Sequence, residues 1–285
     1  MRRNHGAASG GMKMSSVWLH ELTWPDIAEY LEKQTIVMVP IGATEQHGYH
    51  TPLFVDTAWA SDVSEAVARQ ENVLVAPPLH YGWSLHHLAY PGGITLRPET
   101  LTAVAVDIGE SLISHGFRKI IFVNGNRVAN LPPLQIAMAK LRYKTGAYVA
   151  IIDTHLIARK EICEAAGNRR DAAHHAGNVE TSFMLYAHPN LVRTDKIKAL
   201  EDRPVAEFAS NFPMDPPFDQ NIAFVQATAS EFRDLTHGHG TYSNPATASA
   251  EIGRAVLDIT VRHAAQFVAQ VKKIEVECER CSIPV

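Results

Sequence analysis

From Thr35 to Gly42 the chain reads TIVMVPIG, an apolar run of strand length, and runs of this kind alternate with stretches whose apolar residues recur at helical spacing. Ahead of it, WPDIAEYLEKQ places Pro25 and Asp26 in a first helical turn, with Ile27, Tyr30 and Leu31 on one face. After it, DTAWASDVSEAVARQ has helical periodicity and VLVAPP reads as a second short buried strand. RPETLTAVAVDIGESLISHG opens on Pro98 and Glu99 and closes on Gly116, the usual asymmetry of helix ends. KIIFVNG then predicts a third strand, LPPLQIAMAKLRYKTG a helix and AYVAIIDTH a fourth strand.

Strands alternating with helices of this length imply βαβ crossovers and a mainly parallel sheet covered on both faces. The expected fold class is therefore α/β, a three-layer α/β/α sandwich. Beyond residue 155 the pattern loosens. A helix is expected over VETSFMLYAH, and a polar, Pro-rich excursion from about Asp195 to Gly240 has the length of a lid or a subunit contact. A final helix is expected to start at Asn244 and Pro245 and to run through ATASAEIGRAVLDITVRHAAQFVAQVKK. Residues 1–14, rich in Gly, Ala and Ser, read as a flexible leader, and residues 15–285 as a single domain.

Composition narrows the function classes. With 285 residues, 46% of them hydrophobic, the chain can bury one large core. A net charge of −4 and no dense Lys/Arg block leave no electrostatic footprint for nucleic acid. No stretch reaches the roughly 18 to 20 uninterrupted apolar residues of a membrane span, and the start lacks the apolar middle of a signal peptide, so a cytoplasmic protein is expected. Three cysteines make no disulfide framework, and the single C-x-x-C pair, Cys278 and Cys281, is expected to be reduced and unliganded.

Ligands of open α/β sheets bind beyond the carboxyl ends of the strands, where this chain keeps its polar clusters. EQHGYHTPLFVD follows the first strand, NGNRVAN the third and DTH the fourth. Glu45 and His47, two residues apart, project to the same side if the extended conformation persists, and Asp56 returns after a loop containing Gly and Pro. Two carboxylates and an imidazole converging on one point make a ligand set for a divalent metal. The same residues also suit a strand cap and a helix start, with Asp56 as the helix cap.

VPIGATEQHGYHTPLFVD resembles the opening signature of the creatininase family, a Glu-Gln-His-Gly-x-His-x-Pro run followed by Asp. The resemblance continues through PPLHYGWSLHHLAYPGGITLRPETL, the strand ending in Asn124 and Gly125, HHAGNVETS, and SNPATASAEIGR. It implies a small-molecule hydrolase with two divalent ions, zinc or manganese with magnesium as a further option, that opens cyclic amides or cleaves related carbon–nitrogen bonds using a metal-activated water. It also implies a homo-oligomer, with a hexamer as the family's form. On this sequence Glu45 would hold one ion and His47 the other, with Asp56 bridging them. One position departs from the pattern: the family's Asn-Gly-His, whose histidine binds the first metal, reads Asn124, Gly125, Asn126 here. A carboxamide oxygen is a weak, hard ligand that suits magnesium, calcium or manganese better than zinc. Altered metal preference, a replacement that disables the enzyme and a member that has lost catalysis all fit that difference.

In the family pattern His175 acts on protons, Glu180 sits in or supports the metal centre, and His174 occupies the place of a second acid/base group in some relatives. On one continuous helix His175 and Glu180 would lie roughly 140° apart, so convergence requires His175 to precede the helix, a break that Gly177 permits. His86 and His87 fall in a segment that resembles the substrate-side loop. Arg127 and Asn130 are hydrogen-bonding candidates for a hydroxyl-rich substrate, which keeps open a second reading, a ring-opening hydrolase of a cyclic polyol ketone. His237 and His239 alternate within THGHGTYS without a carboxylate nearby in sequence.

Overall fold

The computed structural model describes residues 15–167, 174–198 and 227–278. The expected leader, much of the excursion between Asp195 and Gly240, and Cys281 lie outside the described residues. In chain order the elements are α1 (Trp24–Lys33), β1 (Ile36–Ile41), α2 (Val55–Glu71), β2 (Leu74–Val75), α3 (Pro98–Ser114) and β3 (Lys119–Asn124). They continue as α4 (Arg127–Thr145), β4 (Tyr148–Asp153), α5 (Arg159–Ala165), α6 (Asn178–Ala187), α7 (Thr194–Lys198), α8 (Ala229–Leu235) and α9 (Ala250–Lys272).

The strands form a parallel sheet in the order β2-β1-β3-β4. Alternation along the strands divides the core into two layers. Ile36, Met38, Ile121, Val123 and Ile152 face a cluster with Trp59, Val63, Phe183, Val256 and Val268, from α2, α6 and α9. Val37, Val39, Ile41, Ile120, Phe122 and Val149 face Tyr30, Leu101, Ile113, Leu134 and Leu141, from α1, α3 and α4. A buried parallel strand is apolar on both faces, which is why TIVMVPIG shows no polar alternation. The three layers are those expected.

Two helix starts differ from expectation, both because a side-chain cap outranks proline as a start signal. The Asn126 side chain accepts from Ala129 N, so α4 begins at Arg127, and Pro132 and Pro133 lie inside the helix rather than in its first turn. At the other end of the chain, Asn244 Oδ1 accepts from Ala246 N in a turn, and Ser249 Oγ accepts from Ile252 N to start α9 at Ala250. Among the described residues no helix is long and apolar enough to cross a membrane. The Cys278 thiol lies 3.0 Å from Arg118 Nη1.

Candidate metal centre

Strand register brings the polar clusters together. Ile41 pairs with Asn124 and Asn124 with Asp153, so the loops after β1, β3 and β4 leave one edge of the sheet side by side. Two glycines then let the first turn of α2 approach. A Cβ on Gly42 would lie 2.3 Å from Thr57 N, and one on Gly125 would lie 2.0 Å from the Asp56 carbonyl oxygen. The loop between β1 and α2 turns at Gly48, whose φ of 68° is left-handed, and is pinned where Glu45 N donates to Leu53 O at 2.9 Å. Glu45, His47 and Asp56 are consequently all buried at this edge.

His47 has its protons placed by its surroundings. Its Nδ1 lies 3.2 Å from the backbone carbonyl of Glu45, which can only accept, so Nδ1 carries the hydrogen and Nε2 presents a lone pair. That Nε2 makes no hydrogen bond, although it stands 3.3 Å from Asp56 Oδ1 and 3.7 Å from Glu180 Oε2. A lone pair facing two carboxylates in a dry site calls for a positive charge between them. Burial alone would lower the imidazole pKa, yet Asp56, Glu180 and Glu45 overcome it and raise it to about 10. A proton can meet that demand, and so can a divalent cation: the three ligand atoms lie within 4.8 Å of one another, with one nitrogen and two oxygens. These residues fit a metal, and the Nδ1–H to carbonyl bond is the usual support for a ligating imidazole.

Glu180 enters this group from the first turn of α6. Its Oε1 accepts from His155 Nε2 at 3.1 Å and its Oε2 from Ala176 N at 2.5 Å, while burial pushes its pKa up to about 7. His175 precedes the helix, as the convergence argument requires. The left-handed residue is Ala176, with φ 53°, rather than Gly177. Gly177 is needed for space instead, since a Cβ there would lie 1.8 Å from Ser243 Oγ.

His175 Nε2 lies 2.7 Å from the Gln46 carbonyl and 3.0 Å from Gln46 Nε2; because the two hydrogens of that amide go to Gly240 O and His87 Nδ1, His175 Nε2 donates to the carbonyl and its Nδ1 lone pair stands 3.5 Å from Glu45 Oε1. Burial, followed by His47 and His87, holds His175 well below the ordinary imidazole range, so it is neutral at pH 7. Gln46 has a fixed amide: Oε1 accepts from Gly48 N at 2.8 Å, and Nε2 donates to Gly240 O at 2.9 Å and to His87 Nδ1 at 2.9 Å. His87 must then carry its hydrogen on Nε2, which donates to Glu45 Oε1 at 3.1 Å. On the other side of Glu45, Asn126 Nδ2 donates to Oε2 at 2.8 Å and also to Asp56 Oδ2 at 3.1 Å. Asn126 thus offers the carboxylates its NH2 group and not its oxygen, which caps α4. It was expected to coordinate a metal; the orientation of its amide does not fit that role.

Other expected residues divide. His86 is buried beside His87 and Phe232, and burial lowers its pKa to about 3. Arg127 is half-buried at the first turn of α4. His174 is half-buried and its carbonyl accepts from Gly177 N. Asn130 is fully buried, with Oδ1 accepting from Trp83 N and Nδ2 donating to Gly42 O, both at 2.9 Å. The amide ties two loops together. His239 is buried against Thr241, at 2.8 Å from its hydroxyl, while His237 sits in a left-handed turn with φ 48°.

Sequence reasoning missed four contributors. Gln46 sets two histidine tautomers. His155 donates to Glu180, and the DTH segment after the fourth strand was the available signal. Asp153, raised to about 6 by burial, accepts from Asn124 Nδ2 at 2.9 Å, and the same amide donates to the Asn126 carbonyl at 2.8 Å. Phe232 packs edge-on against His86, His87 and His175 from α8, beyond any sequence pattern.

Comparison with known proteins finds hydrolases over most of the chain. The chain is 29% identical to creatinine amidohydrolase of Pseudomonas putida over 274 residues, 90% of this chain and 97% of that protein. It is 30% identical to the mycofactocin precursor peptide peptidase of Mycobacterium tuberculosis over 248 residues, 82% of this chain and 86% of that protein. It is also 28% identical to 3-dehydro-scyllo-inosose hydrolase of Thermotoga maritima, over 64% of this chain and 59% of that protein. A crystal structure of creatinine amidohydrolase superposes with a TM-score of 0.74 at 28% identity, covering 92% of this chain and all of that one, and zinc–zinc and manganese forms of creatininase superpose equally well. The creatininase family model, described as creatinine amidohydrolase, matches residues 20–268, and the chain belongs to that family of metal-dependent hydrolases.

Proposed function

We propose that this hydrolase opens a cyclic amide, or cleaves a related carbon–nitrogen bond, at a metal centre built on His47, Asp56 and Glu180. The observation that carries the reading is the His47 Nε2 lone pair, buried without a hydrogen bond and facing two carboxylate oxygens. A divalent cation supplies Lewis acidity and brings the pKa of water toward neutrality. His175, neutral with an open Nδ1, can take a proton from water and pass it to the leaving nitrogen. Glu45, beside that Nδ1, stabilises the imidazolium while it lasts. His86, His87 and Arg127 belong to the substrate side in this reading, and His174 to a second proton path.

Amidohydrolase and peptidase both denote cleavage of carbon–nitrogen bonds, which favours that bond type here. The Thermotoga maritima relative favours the second reading, ring opening of a cyclic polyol ketone, with Arg127 binding hydroxyl groups. Zinc or manganese, with magnesium as a further option, fits the donor set. The resemblance calls for two ions, and the count turns on Asn126. A homo-oligomer, up to a hexamer, and a cytoplasmic location complete the reading; Trp24 on α1 and Tyr143 on α4, 81% and 94% exposed, offer apolar surface for self-association.

The test is to incubate metal-loaded protein with creatinine-like lactams, short peptides and oxidised inositols. Consumption of a lactam or peptide is the expected result. Consumption of the inositol ketone alone would select the second reading, and no turnover of any of them by metal-loaded protein would count against both.

A further inference from the structure

We infer that this chain holds one divalent ion, in the group His47, Asp56 and Glu180, and that the Asn126 amide takes the place of a second ion between Glu45 and Asp56. The inference rests on the proposed reading that the chain binds divalent metal at all.

The orientation of Asn126 is set by the helix it caps. Oδ1 accepts from Ala129 N at 3.2 Å. Turning the amide over would aim NH2 at that N–H and the amide oxygen at two carboxylates, replacing three attractive contacts with three repulsive ones. Both hydrogens of Nδ2 are therefore committed, one to Glu45 Oε2 and one to Asp56 Oδ2. A cation placed between those oxygens would meet N–H hydrogens of the same sign of partial charge.

The other oxygen of Glu45 accepts from His87 Nε2 at 3.1 Å, so the carboxylate is held from both sides. The Gln46 amide, fixed by Gly48 and Gly240, dictates that tautomer. Each Glu45 oxygen thus has its own N–H donor, and both donors are buried. A second ligand group, Glu45, His47 and His175, also comes within 4.8 Å. It shares His47, whose Nδ1 hydrogen is committed to the Glu45 carbonyl and whose single Nε2 lone pair serves one ion only. Without it that group has two donors, Glu45 Oε1 and His175 Nδ1, fewer than the three or four protein ligands typical of zinc. Asp56 Oδ1 remains directed at His47 and completes the one intact group. Glu45 changes role accordingly, from ligand to the carboxylate that faces His175.

Elemental analysis of full-length protein, saturated with zinc and then desalted, reads the count directly. The expected value is about one equivalent per chain, rising to about two in Asn126→His, where an imidazole lone pair replaces the NH2 group. Because Asn126→His also removes the helix cap, the unaltered protein loaded with manganese provides a second measurement. Its electron paramagnetic resonance spectrum should be that of isolated Mn(II). About two equivalents and an exchange-coupled pair in the unaltered protein would overturn the inference while leaving the metal reading intact. A count of about one that persists in folded Asn126→His would overturn the role given to Asn126. No retained ion would overturn the metal reading and this inference together.

Discussion

His47 turns Nε2 toward Asp56 Oδ1 at 3.3 Å, with Glu180 Oε2 3.7 Å away on the same side. Two buried groups at that separation attract only if a positive charge is shared between them. Breaking a buried charge cluster of this kind costs roughly 3–5 kcal/mol, so the charge is always met, by a proton or by a cation.

Competition between proton and cation predicts the pH dependence of metal binding. Without a cation the His47 pKa is raised to about 10, so the proton bound at neutral pH must leave when metal enters. Affinity for zinc should therefore rise about tenfold per pH unit between pH 7 and 9, measured by competition with a chelator of known pH response. The stability that His47 contributes to metal-free protein has the opposite trend. It is fully present below the ordinary imidazole pKa of about 6.5 and is lost as pH rises through about 10. A zinc affinity independent of pH would contradict the ligand role of His47.

Phe232 is fully buried and holds His87 at 4.5 Å and His175 at 5.9 Å between ring centroids. Phe232→Ala removes that wall without touching a proposed metal ligand. Turnover should fall at least about tenfold, because His87 and His175 lose their fixed orientation, while the metal content stays unchanged. Elemental analysis beside a rate measurement separates the two effects, and a fall in both together would place Phe232 in support of the metal group instead.

Gly125 lets the end of β3 touch the first turn of α2. With a Cβ only 2.0 Å from the Asp56 carbonyl, Gly125→Ala must displace backbone, at a cost of about 1–3 kcal/mol. Thermal unfolding should shift down by several degrees, and the displaced Asp56 should weaken zinc binding. An unchanged melting temperature would show that the two backbones separate freely.

Much of this arrangement was legible in the sequence because its signals are local. The apolar strand runs, the proline at each of two helix starts and the compact EQHGYHTPLFVD segment each lie within a dozen residues or so. The departure at Asn126 was equally visible, but its consequence depends on which end of the amide faces the carboxylates, and a helix cap decides that. Gln46, His155 and Phe232 act through partners 25 to 194 positions away, as in Gln46 with Gly240 and His155 with Glu180, and no periodicity reports such contacts. Asn130 was singled out for chemistry that suits a substrate, and its ties to Gly42 and Trp83, which join two loops, could not be read from the sequence.

Anomalous diffraction from crystals of the zinc-loaded protein tests the central claim most directly. The account predicts a peak bounded by His47 Nε2, Asp56 Oδ1 and Glu180 Oε2, with ligand distances of about 2.0 to 2.2 Å once those groups close on the ion. Zinc bound elsewhere, with His47 Nε2 still facing its two carboxylates and no peak between them, would contradict it.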